Sequence, residues 1–157
     1  MADRPDLTRR ARNFVAQLRH CQVLGFEVLK ADQKFAEFRA PYSDKIIGNP
    51  DTGVIHGGVL TTLMDTACGT VVICALEEFE LCPTLDLRVD YMRPAKPGED
   101  IFAQAECYRI TRNVVFTRGI VHQGDPENPI AHCVGTFMRI GAHLSPPDFR
   151  AKVLGEG

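Results

Sequence analysis

The sequence has no excess of charge of either sign. Its 18 Lys and Arg residues stand against 20 Asp and Glu residues, which gives a net charge of −2. This balance argues against nucleic acid or an anionic membrane surface as the main partner. A basic start followed by an apolar run is also missing, so we expect no signal peptide. Internal repeats and low-complexity segments are lacking too, and the length predicts a single domain over residues 1–157.

A Cys-x-x-Cys pair is likewise absent, although the chain has six cysteines. Most of these cysteines lie within apolar runs, and a chain of this length builds a core without covalent staples. We therefore predict six reduced cysteines, most of them in the core, and a cytoplasmic protein. They are Cys21, Cys68, Cys74, Cys82, Cys107 and Cys133.

One long apolar segment runs from Val54 to Leu76 and contains the sequence His-Gly-Gly near its start. Between Gly57 and Leu76 only Asp65 is ionised at neutral pH. The length would suit a membrane span, but His56, Asp65, several Gly and Thr residues and the lack of basic flanks argue against one. We predict instead a helix over residues 57–78 that is buried on nearly every side. Burial of an unpaired charge costs several kcal/mol, so Asp65 is either neutralised or retained for a function.

The elements before this segment follow from apolar periodicity and from breaker residues. They are an amphipathic helix at 6–20, strands at 26–31 and 34–40, and a loop at 42–53. Asp6 or Thr8 can cap the helix, and Asp32-Gln33 forms a plausible hairpin turn between the two strands.

After the apolar segment the spacing of apolar residues changes from a helical period of 3.6 residues to the strand period of 2. Strands are predicted at 84–91, 100–110, 114–123 and 130–140, followed by a loose tail after residue 141. In the first of these strands one face holds Leu85, Leu87, Val89 and Tyr91, and the other holds Thr84, Asp86, Arg88 and Asp90. Short turns between the last strands indicate antiparallel pairing. An α+β fold is expected, in which a curved antiparallel sheet wraps around one long central helix.

The spacing of His56 and Asp65 places a limit on any shared role. Nine residues apart in one helix, they lie on roughly opposite faces and about 13 Å apart along the axis. They cannot both touch one small substrate group from a single copy. A joint catalytic role therefore implies a two-fold homodimer in which each chain supplies one of the two residues.

Gly57 and Gly58 open the predicted helix, where backbone N–H groups have no intrahelical partner. Without side chains they allow a ligand to approach the positive end of the helix dipole, and a carbonyl oxygen would find a preformed oxyanion hole there. Structural explanations also stand: His56 as a helix cap, Asp65 bonded to a backbone group or a threonine, and Gly-Gly as a loop element.

These residues resemble a family. The segments HGGVLTTLMDTACG and TLDLRVDYMRPAKPGED, with the loop NPDTGVI before them, are similar to the hot-dog-fold acyl-CoA thioesterases of the phenylacetate-degradation type. The resemblance covers about residues 20–141. It implies hydrolysis of acyl-CoA thioesters, with CoA as part of the substrate and no further cofactor or metal, and dimers that pair into homotetramers.

The resemblance also implies roles for individual residues. Asp65 corresponds to the family's catalytic carboxylate, a general base or nucleophile, and Gly57 to its oxyanion donor. His56 and Asn49 would act beside the thioester, although Asn49 lies seven residues before His56 where relatives have six. Thr84 would orient the water, from the same subunit as Asp65, while the other three come from the partner subunit.

Binding of CoA requires cations for its phosphates, and here the alternatives stay open. Arg93 and Lys96 follow the strand at 84–91 and are the first candidates, with Gly58 offering close backbone approach. Arg109 and Arg112 are further candidates, and all four cations also suit solvated turns. Two other functions are weighed against thioester hydrolysis: a hot-dog dehydratase, whose motif the chain lacks, and a non-catalytic acyl-CoA-binding module, which would not need Asp65.

Overall fold

The structure of the protein is a computed structural model that describes residues 6–156. Along these residues the chain forms four α-helices and eight strands. The helices are α1 (Leu7–Ala16), α2 (Arg19–Leu24), α3 (Gly57–Ala75) and α4 (Pro147–Leu154). The strands are β1 (Glu27–Ala31), β2 (Phe35–Ala40), β3 (Ile47–Asn49), β4 (Val54–Ile55), β5 (Thr84–Tyr91), β6 (Ile101–Ile110), β7 (Val114–His122) and β8 (Ala131–Met138).

One antiparallel sheet contains six of these strands in the order β1-β2-β6-β7-β8-β5. Its edge strands within the described part of the chain are therefore β1 and β5, while β3 and β4 form a separate hairpin. The long helix α3 packs against β2, β5, β6, β7 and β8. This arrangement confirms the predicted α+β hot-dog fold and the predicted strands, whose ends differ by no more than two residues.

The core lies between α3 and the inner face of the sheet. Of the 19 residues of α3, 12 are buried, and β6 alternates buried residues (Ile101, Ala103, Ala105, Cys107) with more exposed ones. By length and hydropathy α3 could cross a membrane, but 67% of its most apolar window is buried inside the fold. Each α3 residue that faces the sheet thus exchanges water for apolar contacts, which is the main stabilising term.

The N-terminal region differs from the single helix that was predicted at 6–20. Asp6 caps α1 as expected, because its Oδ1 accepts a hydrogen bond from the Arg9 N–H at 3.0 Å. However, α1 ends at Ala16, and Leu18 is extended (φ −95°, ψ 104°) before α2 begins. Gly25 then ends α2 in the left-handed conformation (φ 74°), which favours glycine.

Two further boundaries were predicted wrongly. The segment 42–53 is not all loop, since it contains a 3-10 helix (Asp44–Ile46) and the strand β3, which pairs with β4. Three residues before the predicted end, α3 stops at Ala75, because Leu76 is already extended (φ −84°, ψ 137°). In both cases short turns determine the path of the backbone, and the periodicity of apolar residues does not predict such turns.

The prediction of a loose tail after residue 141 was wrong. The helix α4 packs on α1, with Val153 fully buried and its carbonyl oxygen accepting a hydrogen bond from Asn13 Nδ2 at 3.2 Å. Phe149 lies 6.0 Å from the Phe14 ring and 6.2 Å from the Phe79 ring. The apolar surface of α1 therefore fixes the position of this segment. The sequence Pro146-Pro147 gives no sign of this tertiary contact.

The cysteine prediction is confirmed for the described chain. All six cysteines are free, and each of them except Cys82 is buried. Burial raises the pKa of the Cys74 thiol to about 12 and that of Cys82 also to about 12. These thiols are therefore protonated apolar side chains at neutral pH.

Candidate active site

The first turn of α3 leaves one backbone amide open. His56 is the N-cap, and its Nδ1 accepts a hydrogen bond from the Gly58 N–H at 2.9 Å. The Val59 N–H donates to the His56 carbonyl oxygen at 2.9 Å. Among the residues that the structure describes, no acceptor bonds the Gly57 N–H. This N–H therefore points out at the positive end of the helix dipole, where a ligand oxygen can accept from it.

The β3–β4 hairpin fixes the position of His56. The His56 N–H donates to the Ile46 carbonyl oxygen at 2.9 Å. A Cβ atom at Gly48 would lie 2.7 Å from the His56 Cα, so glycine alone fits beside this backbone. Because Nδ1 accepts the Gly58 N–H, a neutral His56 ring carries its proton on Nε2, which is exposed as a donor.

Asn49 is the last residue of β3, immediately before the hairpin turn, and it is exposed. Its Oδ1 accepts the Asp51 N–H at 3.0 Å, and its carbonyl oxygen accepts the Gly53 N–H at 2.8 Å. The side-chain oxygen thus holds the turn. The Nδ2 group has no acceptor among the residues described, and this is the part of Asn49 that remains for a ligand.

Asp65 pairs with Thr84 at the start of β5. Thr84 Oγ1 donates a hydrogen bond to Asp65 Oδ1 at 2.8 Å. Asp65 is only half-buried, as are Gly57, Thr61 and Gly69, which share its stripe of α3 at intervals of four residues. The prediction that α3 is covered on nearly every side is therefore wrong for this stripe, because the protomer's own sheet ends beside it at β5.

A β-bulge brings Thr84 to Asp65. The ladder between β5 and β8 pairs Thr84 with Phe137 and Asp86 with Thr136, so Leu85 is the extra residue. Phe137 faces the core, and Thr84 therefore lies on the helix side of the sheet while Asp86 lies on the other side. The predicted placement of Thr84 and Asp86 on one face was wrong, since strict alternation fails at a bulge.

Tyr91, at the other end of β5, contacts the opening of α3. Its hydroxyl donates to the Gly57 carbonyl oxygen at 3.1 Å and also hydrogen-bonds Thr61 Oγ1. A Cβ atom at Gly57 would lie 3.4 Å from the tyrosine ring. Sequence reasoning assigned Tyr91 only to the apolar face of its strand and missed this contact. The available signal was its hydroxyl, which requires a partner on a face that packs inward.

A cavity of about 260 Å³ lies beside Gly57. Its walls are Ile55 and Leu60 on one side and residues 91–95 on the other. The wall is mainly apolar, with Arg93 as its cation. The cavity therefore lies next to the open N–H and suits a group attached to a bound carbonyl.

The cations proposed for a phosphate ligand have different surroundings. Arg93 donates from Nη2 to the Asn128 carbonyl oxygen at 2.7 Å, and its buried Nε finds no acceptor among residues 6–156. Lys96 is exposed, and its backbone N–H is held by Gln123 Oε1 at 2.8 Å. The structure thus brings Arg93 to the cavity, while Lys96 lies on the turn beyond it. Arg109 and Arg112 lie at the opposite end of β6.

Gly57 and Asp65 are separated within the protomer. Eight residues of unbroken helix place them about 12 Å apart along the axis of α3. One substrate carbonyl that accepts the Gly57 N–H is therefore out of reach of Asp65 on the same chain. As for metals, residues 6–156 contain no group of three His, Cys, Asp or Glu side chains that could hold an ion.

Comparison with known proteins identifies the class. The sequence profile of the Thioesterase superfamily matches residues 52–130, about half of the chain, including all of α3 and β5. A crystal structure of a Pseudomonas aeruginosa protein is 60% identical, with a TM-score of 0.79 over 85% of this chain and 99% of that one.

Two more relatives extend the comparison. The medium/long-chain acyl-CoA thioesterase YigI of Escherichia coli K12 is 29% identical over 80% of this chain and 88% of its own. The phenylacetic acid degradation protein PaaI of Thermus thermophilus shares the fold, with 24% identity and a TM-score of 0.67 over 78% of this chain and 99% of that one.

The fold and these matches define a hot-dog thioesterase. The chain belongs to the Thioesterase superfamily, as its resemblance to the phenylacetate-degradation type predicted, and it is a thioester hydrolase.

Proposed function

We propose that this protein hydrolyses acyl-CoA thioesters to a free acid and CoA, in a site that two protomers share. In this proposal the Gly57 N–H of one protomer binds the thioester carbonyl oxygen, and Asp65 of the partner subunit acts on the carbonyl carbon. One observation carries the proposal. The open Gly57 N–H and the Asp65 carboxylate, which Thr84 holds, lie on the same unbroken helix and are too far apart to act on one carbonyl group within a chain.

The oxyanion role follows from the first turn of α3. When water adds to the carbonyl carbon, negative charge develops on the carbonyl oxygen, and the C–S bond breaks as the intermediate collapses. The sulfur leaves as a thiolate that takes up a proton. A fixed N–H aimed at that oxygen stabilises the developing charge, and loss of one such donor typically costs about 10²–10³ in rate.

Two routes for Asp65 stay open. As general base it takes a proton from water, and Thr84 Oγ1 can accept the second water hydrogen because its own hydrogen already points at Asp65. As nucleophile it attacks the carbonyl carbon and expels the thiolate, and water then hydrolyses the mixed anhydride. Both routes need the ionised carboxylate, and both leave the same products.

His56 and Asn49 are proposed to position the substrate beside Gly57. The His56 Nε2–H and the Asn49 Nδ2 group are donors that the hairpin holds near the start of α3. Gly58 contributes indirectly, because its N–H bond to His56 keeps the cap rigid. Positioning of this kind lowers the entropy lost on reaching the transition state.

Substrate contacts outside the thioester are proposed from the cavity and its cations. Arg93 lines the cavity beside Gly57, and Lys96 lies exposed on the same turn, so both can approach the CoA phosphates. The E. coli relative is named for medium- and long-chain acyl-CoA, which supports an acyl group of that class here.

The assembly is proposed to be a homodimer that pairs into a homotetramer in the cytoplasm. The outer edge of β5 has no strand partner within the described chain, and Leu85 and Tyr91 on it are 54% and 55% exposed. If two copies pair along this edge of β5, the half-buried stripes of their two α3 helices lie opposite one another. The outer sheet face, with exposed Val134 and Met138, supplies a second surface for the tetramer.

The first test is thiol release from a panel of aryl, short-, medium- and long-chain acyl-CoAs, followed with a thiol reagent. Asp65→Asn is expected to lower kcat on every cleaved substrate by about 10³-fold or more while substrate binding persists. Asp148→Asn is the matched control, since this exposed carboxylate lies on α4. Wild-type kcat in Asp65→Asn would exclude the role of Asp65, and binding without cleavage by the wild type would identify a non-catalytic module.

A further inference from the structure

A second cavity lies at the far end of α3, away from Gly57. Its volume is about 670 Å³, and it is bounded by α1, the turn between β1 and β2, and the last residues of α3. Since α3 has 19 residues, the two ends are about 28 Å apart. The volume is within the range of pockets that hold drug-sized ligands.

Arg10 lines this cavity, and the part of the chain that the structure describes offers no acidic partner for its charge. The residue is 7% exposed, and its Nε and Nη2 atoms are buried without a hydrogen-bond acceptor from those same residues. Among residues 6–156 no carboxylate oxygen lies within 4.0 Å of its guanidinium group. The Phe79 ring lies 5.6 Å from the guanidinium carbon, and this single cation–π contact compensates only part of the cost of burying the charge.

The electrostatics around Arg10 call for an anion. Burial lowers the pKa of Arg10 from its ordinary value, and the positive charge of Arg150 lowers it further, while the negative charge that Cys74 acquires only at high pH raises it. An isolated buried cation is costly, whereas the same cation beside a carboxylate gains charge-assisted hydrogen bonds.

The remaining walls indicate what that anion is attached to. The inner walls include Leu7, Ala31, Phe35, Ala75 and Leu76. The rim carries exposed Asp6, Asp32, Glu77 and Lys34, so its net charge is negative. This rim repels a polyanion such as a phosphate ester more strongly than a single carboxylate, because the repulsion grows with the charge of the ligand. A monocarboxylate with an aliphatic tail also fits the cation and the apolar walls.

We propose that this cavity is a binding site for an aliphatic monocarboxylate, with the carboxylate on Arg10 and the tail along the apolar walls. The site is separate from the Gly57 region and does not depend on the proposed function. It requires only that the carboxylate reaches the guanidinium group from within the cavity.

The test compares decanoate with decanol by isothermal titration calorimetry, both below the concentration at which decanoate forms micelles. The wild type is expected to bind decanoate about tenfold or more tightly than decanol, because a carboxylate forms charge-assisted hydrogen bonds with the guanidinium group and a hydroxyl group does not. Arg10→Met is expected to lose this preference and still bind decanol. Arg9→Met is the matched control, since Arg9 is exposed on the same helix and should behave as the wild type.

Two further measurements locate the site and guard against misfolding. Amide chemical shifts on addition of decanoate should change most at Ala75 and Leu76. Ala75→Leu, which keeps Arg10 and narrows the cavity, should weaken both ligands.

The proposal is overturned by any of four results: no decanoate binding by the wild type, an unchanged preference in Arg10→Met, unchanged affinities in Ala75→Leu, or shifts confined to Gly57 and Gly58.

Discussion

At the scale of single residues, the start of α3 shows how one side chain selects one amide. His56 Nδ1 takes the Gly58 N–H, and the His56 carbonyl takes the Val59 N–H. Without that cap two or three amides would compete for the same ligand oxygen. The histidine therefore contributes to the proposed oxyanion site by leaving the Gly57 N–H as its donor.

Replacement of Gly57 tests this donor directly. Gly57→Pro removes the N–H at the first helical position, where proline is tolerated, and the preceding His56 is already extended as proline requires. We expect a folded enzyme with kcat reduced about 10²–10³-fold in the thiol-release assay. Gly57→Ala is the control, since it keeps the N–H and its Cβ meets Tyr91 at an ordinary 3.4 Å. Equal activity of the two variants would argue against an oxyanion role.

Glu80 is a buried carboxylate with a structural role. It is 4% exposed, accepts two hydrogen bonds from Arg139, the shorter at 2.8 Å, and accepts the Gly141 N–H at 2.9 Å. Burial alone would raise the pKa of its carboxyl group. The hydrogen bonds and the charge of Arg139 outweigh burial and lower the pKa below its ordinary value.

A lowered pKa in the folded state makes the contribution of Glu80 dependent on pH. The ionised group stabilises the fold above its unfolded pKa of about 4.3, and this stabilisation is lost as the pH falls through the lower folded pKa. We expect Glu80→Gln to reduce the free energy of unfolding at pH 7 by about 1–3 kcal/mol in urea titrations. The difference from the wild type should shrink below about pH 4. Glu78→Gln, exposed two residues earlier, should show neither effect.

At the scale of elements, β5 organises the candidate site. The strand runs along α3 so that Thr84 at one end contacts Asp65 and Tyr91 at the other contacts Gly57. The bulge at Leu85 is needed for this, because it reverses the face on which Thr84 lies relative to Asp86. An edge strand thus contacts both residues of the proposed chemistry, and its outer edge is the surface at which we propose that a second copy binds.

The C-terminal helix α4 is part of the core, and its contribution can be measured. Phe149→Ala removes contacts with the Phe14 and Phe79 rings. Since Phe149 is half-buried, we expect a loss of about 2 kcal/mol in the free energy of unfolding, less than for a fully buried phenylalanine. Chemical denaturation gives this value, with exposed Lys152→Ala as the control. A loss within about 0.5 kcal/mol would mean that α4 adds little to the fold.

At the scale of the whole molecule, a shared site makes a prediction for mixed dimers. Asp65→Asn and Gly57→Pro each disable both sites of a homodimer. In a heterodimer of the two variants, one shared site carries both defects and the other carries neither. Co-refolding of equal amounts should therefore restore about a quarter of wild-type activity, measured by thiol release. Recovery would fail if each protomer contained a complete site, because every protomer then has one defect.

The sequence predicted the central features because they are local patterns. The apolar run and its single carboxylate indicated α3, and period-two segments indicated the sheet strands that were found. The motif from His56 to Asp65 identified the family. The sequence did not predict the break between α1 and α2, the β3–β4 hairpin or the packed helix α4. Each of these features is decided by a turn or by packing between distant segments.

What the sequence alone determined is the long helix α3, the six strands of the main sheet, the fold class and the chemistry of the residues available, because side-chain period and composition are properties of neighbours in the chain. Only the tertiary structure decided which of those residues meet. The bulge that turns Thr84 toward Asp65 and the cavity that encloses Arg10 depend on contacts between segments that lie far apart in the sequence. The cap itself is a local contact between His56 and Gly58, but the close approach of Gly48 to His56 holds it in place. Such contacts are set by the balance of burial and hydrogen bonding over the whole fold, which no local pattern contains.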